Sequence, residues 1–353
     1  MSTQFNKNLA QAKKNKDDEF YTQLTDIEKE LRFYKDKFKN KIVYCNCDDP
    51  QVSNFFQYFA LNFEKLGLKK LITTCYKNDQ IDLFSNNKKE KAITLTYEGD
   101  KNNNKIPDIE EIGINYLKGD GDFRSNECID ILKTADVVVT NPPFSLFREY
   151  VSQLIEFKKD FLIIGHQNAI KYKEIFPLMR DNKIWLGPSI SSGDREFGIP
   201  EEYEVRSKSL REDENGNRFI RVSGVRWFTN LEVKKYKEEL VLYKKYTAQE
   251  YPKFENLDAI NVNKTKDIPC DYPGMMGVPI TFMDKYHPDQ FQIIGVGIAR
   301  LGLEMGISPY KPEHKKYRKE VQKRGAVDGD LYLMDGKEVV VPYTRIIIKN
   351  KLI

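Results

Sequence analysis

The chain has no apolar run long enough to cross a bilayer, and its start, Met1 to Lys16, is polar with no hydrophobic signal core. A soluble, cytoplasmic protein without a membrane partner is therefore expected. Cysteine is scarce, five in 353 residues, and histidine scarcer at three. No Cys-x-x-Cys pair stands with histidines at ligand spacing, which argues against a structural zinc site. Cys45 and Cys47 would share one face of a strand, but nothing nearby completes a metal site, so reduced thiols and no metal are expected. There is no internal repeat, helix-turn-helix or zinc finger. The net charge of +4 is too small for composition alone to call for nucleic acid.

The distribution of charge says more. From Leu301 to Ile353, 11 Lys and Arg stand against 7 Asp and Glu, so the local excess equals that of the whole chain. Lys315, Lys316, Arg318, Lys319, Lys323 and Arg324 fall in one short span. Such a patch suits phosphate contacts, although a solvated face is the ordinary reading of any charge run. The length suits one large domain with a smaller one, or two of ordinary size.

The chain is organised around Asp136-Val-Val-Val-Thr-Asn-Pro-Pro-Phe-Ser145. Asp136 to Thr140 reads as a short strand buried on both faces, and the prolines stop it at once. Asn141 then sits at the carboxyl end of a strand, where open α/β sheets bind ligands. The Asn141 carboxamide oxygen and the Pro142 carbonyl can accept both hydrogens of an exocyclic amine, while Pro142 and Pro143 fix the turn. Phe144 offers a face for stacking a planar base.

Elsewhere strands and helices alternate. Thr25 and Glu28 have the form of a capping box and predict a helix start there. Lys41 to Asn46 reads as the first strand, followed by Cys47-Asp-Asp-Pro50 and a helix over Asn54 to Leu66. That turn lacks the glycines a dinucleotide phosphate needs, which argues against NAD or ATP. Asp48 or Asp49 suits an ammonium group, or equally a helix cap. A second strand is expected over Leu68 to Tyr76, an edge strand over Ala92 to Glu98, a weak one over Ile114 to Leu117, and a buried one over Asp160 to Gly165. His166 follows and reads as structural. Gly187 to Pro200 should overhang the same edge of the sheet, which makes Arg195 and Phe197 candidates to touch a base or its phosphate. Asn215-Gly216 signals a hairpin, ringed by Arg206, Lys208, Arg211, Arg218, Arg221 and Arg226. From about Tyr251 the alternation gives way to proline-rich aromatic segments.

Asn141-Pro-Pro-Phe144 after an apolar strand resembles the catalytic motif of amino-methyltransferases that use S-adenosylmethionine, in the form common among DNA adenine-N6 enzymes. Phe20-Tyr21-Thr22 ahead of the first strand resembles the element that lines the methionine end of that cofactor in the gamma group. Asp122-Phe123 resembles the pair that holds its adenine, although a Gly-Asp turn is an equal reading of Gly119 to Phe123. The order of these elements is the gamma-group order, and over Asp17 to Leu231 the chain resembles the EcoRI-type adenine-specific DNA methyltransferases.

The resemblance implies an α/β fold: a Rossmann-like seven-stranded methyltransferase sheet ending in an antiparallel hairpin over residues 1–250, and a smaller α+β target-recognition region over 251–353. It implies S-adenosylmethionine as cofactor, held by Phe20, Tyr21, Thr22, Cys45, Asp48, Asp49, Asp122, Phe123 and Asn141. It also implies double-stranded DNA as partner, either in a restriction-modification system with a cognate endonuclease, in no stable complex, or in an orphan or phage modification system. Cys75 and Tyr76 stand where many methyltransferases hold the ribose with an acidic residue. The alternatives are a same-fold enzyme acting on protein glutamine, cytosine N4 or RNA, and a non-catalytic DNA-binding relative.

Overall fold

The computed structural model describes residues 21–47, 53–74, 92–104, 107–108, 111–190, 194–199, 210–233 and 238–353. Phe20, Asp48, Asp49, Cys75, Tyr76, Arg206 and Lys208 lie outside them. The chain forms two compact units, one of residues 1–169 and 184–233, the other of 170–183 and 234–353. The second unit thus takes in a segment from mid-chain and starts at 234, not near Tyr251. No helix among the described residues is long and apolar enough to cross a membrane.

In the first unit the chain runs β1 (Tyr21–Thr22), α1 (Leu24–Leu31), β2 (Ile42–Asn46), α2 (Asn54–Leu61), α3 (Phe63–Leu66), β3 (Lys70–Thr74), β4 (Ile93–Tyr97) and β5 (Gly113–Tyr116). It continues through α4 (Asn126–Thr134), β6 (Val137–Thr140), α5 (Phe147–Glu156) and β7 (Asp160–His166). After α6 (Phe176–Arg180), which belongs to the other unit, come β8 (Trp185–Leu186), β9 (Asp194–Ile199), β10 (Leu210–Glu212), β11 (Arg218–Ser223) and β12 (Val225–Thr229). The fold is mixed α/β with several sheets.

The main sheet has eight strands in the order β5-β4-β3-β2-β6-β7-β12-β8, not the seven expected. β4 lies antiparallel to both β3 and β5, so it is an interior strand instead of the edge its polar flanks suggested. β2, β3, β6 and β7 are parallel, and β12 runs against β7. The Asn215-Gly216 hairpin forms, with Gly216 at φ 83°, but outside this sheet. It pairs through β9 with β1 in a separate four-stranded sheet, β1-β9-β11-β10. Only β12, after the hairpin, joins the main sheet. The capping box at Thr25 is not made either: α1 starts at Leu24 behind Gln23, which gives no side-chain cap.

Local chemistry explains most of these elements. Val137 to Thr140 are buried to the last residue, as an interior parallel strand requires. Ser53 and Ser125 accept from the backbone N–H of Phe56 and Cys128 and so start α2 and α4, at about 1 kcal/mol each. On α5 the buried residues Phe147, Tyr150, Val151 and Leu154 make one helical stripe.

In the second unit a four-stranded sheet has the order β13 (Ala259–Asn261), β14 (Met275–Pro279), β18 (Arg345–Asn350), β15 (Phe291–Gly297). A hairpin of β16 (Leu333–Asp335) and β17 (Glu338–Val340) and the helices α7 (Ala299–Met305) and α8 (Pro312–Glu320) complete it. Both α6 and α7 pack on β15.

The depth at which α5 sits is set by Gly165 on β7. A Cβ there would stand 2.5 Å from the Phe147 ring and 3.0 Å from that of Phe228. Gly165→Ala is expected to lower stability by about 1–3 kcal/mol through overpacking. Urea unfolding checks this as a lower midpoint at an unchanged slope. A wild-type midpoint would show that Phe147 has room to move.

Candidate active site

The chain leaves β2 toward β3 on one side, while β6 continues toward β7 on the other, so the strand order reverses between β2 and β6. Crevices at such a reversal, outside the carboxyl ends of the strands, are where α/β sheets bind ligands. β2 ends at Asn46 and β6 at Thr140, which brings Asn46, Cys47 and Asn141 to this place.

Two side chains tie the strand ends together. The Thr140 hydroxyl donates to the Asn46 carbonyl, and the Tyr150 hydroxyl donates to Asn46 Oδ1. Tyr150 is completely buried, and burial pushes its pKa well above the ordinary value, so the hydroxyl keeps its proton and its donor role. Asn141 follows Thr140 directly and is itself buried, at 7% exposure. The Pro143 carbonyl accepts from the Leu146 N–H, 3.0 Å away, closing the turn that leads into α5. Pro143 thereby serves the turn, which leaves the Pro142 carbonyl beside Asn141 as the backbone acceptor of interest.

Tyr150 also packs its ring edge-on against Phe123, with centroids 5.0 Å apart. Gln153, one turn further along α5, donates to the Phe123 carbonyl at 3.1 Å. Asp122-Phe123 is thus fastened to the helix that follows Asn-Pro-Pro-Phe. The Asp122 carboxylate is engaged by Arg124, at 2.9 Å from Nε and 2.6 Å from Nη2, and Arg124 reaches Glu149 at 3.1 Å. The bond to Asp122 raises the Arg124 pKa above its ordinary value. Asp122 therefore has an internal partner that its sequence position does not reveal, although a carboxylate oxygen has lone pairs for more than one donor.

The opposite wall comes from the small sheet. Thr22 pairs with Phe197 and Tyr21 with Gly198 across β1 and β9. The Phe197 ring stands edge-on to Phe144, with centroids 6.5 Å apart. Asn54, the first residue of α2, donates to the Thr22 carbonyl at 2.7 Å. Thr22 Oγ1 is buried with no hydrogen-bond partner among the described residues. Phe144 is only 8% exposed and Phe197 1%, so neither presents the open face that the sequence suggested.

Other expected residues fall into place or out of it. Cys45 is wholly buried within β2 and Cys47 takes a left-handed φ of 64° just after it; neither is in a disulfide. His166 Nδ1 accepts from the Asn168 N–H at 3.0 Å, a structural use. Arg195 shares a strand face with Phe197 and lies 3.8 Å from Asp26. Around the hairpin, Arg211 pairs with Glu196 and Arg221 with Asp194, while Arg226 is buried in β12.

In the second unit Arg318 departs from its expected role. It is buried and gives Nε and Nη2 to the Gly325 carbonyl and Nη1 to Gln322, so it holds the turn after α8 instead of facing a phosphate. Lys315 pairs with Asp328 at 2.8 Å, whereas Lys316, Lys319, Lys323 and Arg324 are exposed.

Sequence reasoning missed Asn46, Thr140, Tyr150, Gln153 and Arg124. Only Asn46 carried a signal, as a polar residue closing an apolar strand beside a turn. Tyr150 reads in sequence like any aromatic on the buried stripe of a helix.

The model of the family "Adenine-specific methyltransferase EcoRI" matches residues 8–351. The chain is 50% identical to the type II methyltransferase M.EcoRI of Escherichia coli, over 98% of this chain and 97% of that one. It is 40% identical to M.MgeORF184P of Mycoplasma genitalium, over 80% of this chain and 84% of that one, and 39% to M.MpnI of Mycoplasma pneumoniae, over 80% and 83%. By the family model and by these relatives, the chain belongs to the EcoRI family of adenine-specific methyltransferases.

Proposed function

We propose that this DNA adenine methyltransferase transfers a methyl group from S-adenosylmethionine to N6 of an adenine turned out of duplex DNA, at the Asn141-Pro142-Pro143-Phe144 turn. The observation that carries this is the position of that turn at the strand-order reversal, with the ends of β2 and β6 locked through Asn46.

The residues present fit the proposed cofactor. The buried Thr22 hydroxyl has no partner among the described residues and could take one from a ligand, and β1 sits over α2, which follows β2. Tyr21 and Thr22, with Phe20, would hold the methionine end and Asp48 or Asp49 its ammonium group; Asp122 and Phe123 would hold the adenine. When bound, S-adenosylmethionine supplies an electrophilic methyl on a sulfonium.

Asn141 Oδ1 and the Pro142 carbonyl accept the two N–H groups of the target amine. This turns the nitrogen lone pair out of conjugation and aims it, so positioning and fixed dipoles supply the rate. The nitrogen then sheds one proton to water, with no protein base required. Extruding the adenine costs a few kcal/mol, and stacking on Phe144 returns about 1–3 kcal/mol. Because Phe144 is covered, the base enters by parting the Phe144–Phe197 pair. The second unit would supply target recognition, with Lys316, Lys319, Lys323 and Arg324 available for phosphates. The expected companion is a restriction endonuclease of the same specificity, without a stable complex.

Incubation with labelled S-adenosylmethionine and unmethylated duplex, followed by digestion to nucleosides, should give N6-methyladenine. Label in no DNA nucleoside would refute the proposal. Asn141→Ala should lower kcat on the order of a hundred- to a thousand-fold while cofactor and duplex binding stay near wild type. Wild-type turnover in that variant would remove Asn141 from the mechanism. Tyr150→Phe leaves buried Asn46 Oδ1 without its donor and should cost about 1–3 kcal/mol of stability. Cofactor affinity should fall in the same variant, and titration calorimetry on the folded protein distinguishes that from a purely structural role.

A further inference from the structure

Arg345 opens β18 in the second unit. It is 7% exposed, and its side chain crosses β14 to reach β13. The crossing is possible because Gly277 lies between: a Cβ there would touch Arg345 Cβ at 3.4 Å and the Phe254 ring at 2.7 Å. On the far side Nε donates to Asn261 Oδ1 at 3.0 Å and Nη2 to Asn263 Oδ1 at 3.3 Å. Asn261 Nδ2 donates to Asn263 Oδ1 at 2.9 Å, which braces the pair. Nη1 makes one long bond, 3.4 Å, to the Tyr343 carbonyl.

All these acceptors are neutral. No carboxylate among the described residues lies within ion-pair distance of Arg345, and burial alone acts on its pKa, lowering it. A buried cation without a counter-charge is costly, and protein interiors ordinarily answer it with a carboxylate. Arg318 in the same unit is also buried without one, but three of its N–H groups go to the Gly325 carbonyl and Gln322, which absorb it into a turn. Arg345 differs in the length of its bonds: Nε is held at 3.0 Å, but Nη2 and Nη1 reach their acceptors only at 3.3 and 3.4 Å. The residues that take the bonds of Nη1 and Nη2, Tyr343 and Asn263, are themselves exposed, so the guanidinium lies just under the surface they form. Tyr343, two residues away, is 93% exposed, and Asn263, Lys264 and Lys266 are exposed at the end of β13.

We propose that Arg345, held in place by Asn261 and Asn263, receives a paired-acceptor edge of duplex DNA, with Tyr343 beside it against sugar or base. Two oxygens of one phosphate and the O6/N7 edge of guanine both offer that chemistry. The inference rests on the reading of the chain as a DNA-modifying enzyme and adds to it a DNA-contacting edge distinct from the lysine-rich α8.

The test uses the full-length protein, fluorescence anisotropy on duplexes of varied sequence at several salt concentrations, and thermal melting of each variant. Asn261→Asp is the decisive substitution. It places a carboxylate on Arg345 at nearly constant shape, so the melting temperature should hold or rise while DNA affinity falls about five-fold to a hundred-fold. A purely structural Arg345 would leave affinity unchanged or improved, and that result overturns the proposal. Arg345→Gln should match the affinity loss if it folds; Asn261→Asp stands without it. A uniform loss with the salt slope reduced by about one assigns the contact to phosphate. A loss confined to duplexes carrying the preferred site assigns it to a base edge. Wild-type protein that binds no duplex would refute the proposed function itself, whereas tight wild-type binding with an unaffected Asn261→Asp would refute only the role of Arg345.

Discussion

The first unit depends on one buried amide. Asn46 receives the Tyr150 hydroxyl on its side chain and the Thr140 hydroxyl on its carbonyl, so one residue joins the end of β2, the end of β6 and the middle of α5. Each bond is worth little net, about 1 kcal/mol, because water offers the same partners to the unfolded chain. Their value is positional. Asn141 is the next residue after Thr140, and Phe123 packs on the same Tyr150 ring. A shift of the tyrosine would move Asn141 and Phe123 together.

The second unit is organised on a different principle. Its apolar core of Phe254, Ala259, Ile307, Leu331, Leu333 and Ile347 is conventional, but at its rim it tolerates a guanidinium surrounded by amides. The polyanionic partner proposed for Arg345 would return its desolvation cost without a carboxylate beside it.

The strand and turn at Asp136 to Phe144 were legible because apolar continuity and prolines coincide there. β2 and β7 were legible from apolar continuity. The eight-strand order was not: strands at β4 and β5 were expected, but tertiary pairing, which sets strand order and register, puts β4 between β3 and β5. The Asn215-Gly216 turn was readable but its sheet was not: turn chemistry fixes a hairpin, whereas β9 and β1 decide where it docks. Within the candidate site, Asn141, Phe144, Thr22 and Phe123 are the residues that motif resemblance singles out. Arg318 was misread because a cation's burial depends on carbonyls that the helix itself does not contain. Arg345 went unnoticed because its isolation is a property of three strands at once.

The interleaving of the two units has a consequence for the order of synthesis. β7 leaves the ribosome with β6 already beside it, yet its other neighbour, β12, lies beyond the segment 170–183 that belongs elsewhere. Until Val225 to Thr229 arrive, the main sheet carries an open parallel edge lined by Phe161 to Ile164, the kind of edge that pairs with a second chain. The nascent chain is thus exposed to misassociation after the Asn141 to Phe144 turn has been made, and a chain cut between β7 and β12 would keep that edge permanently.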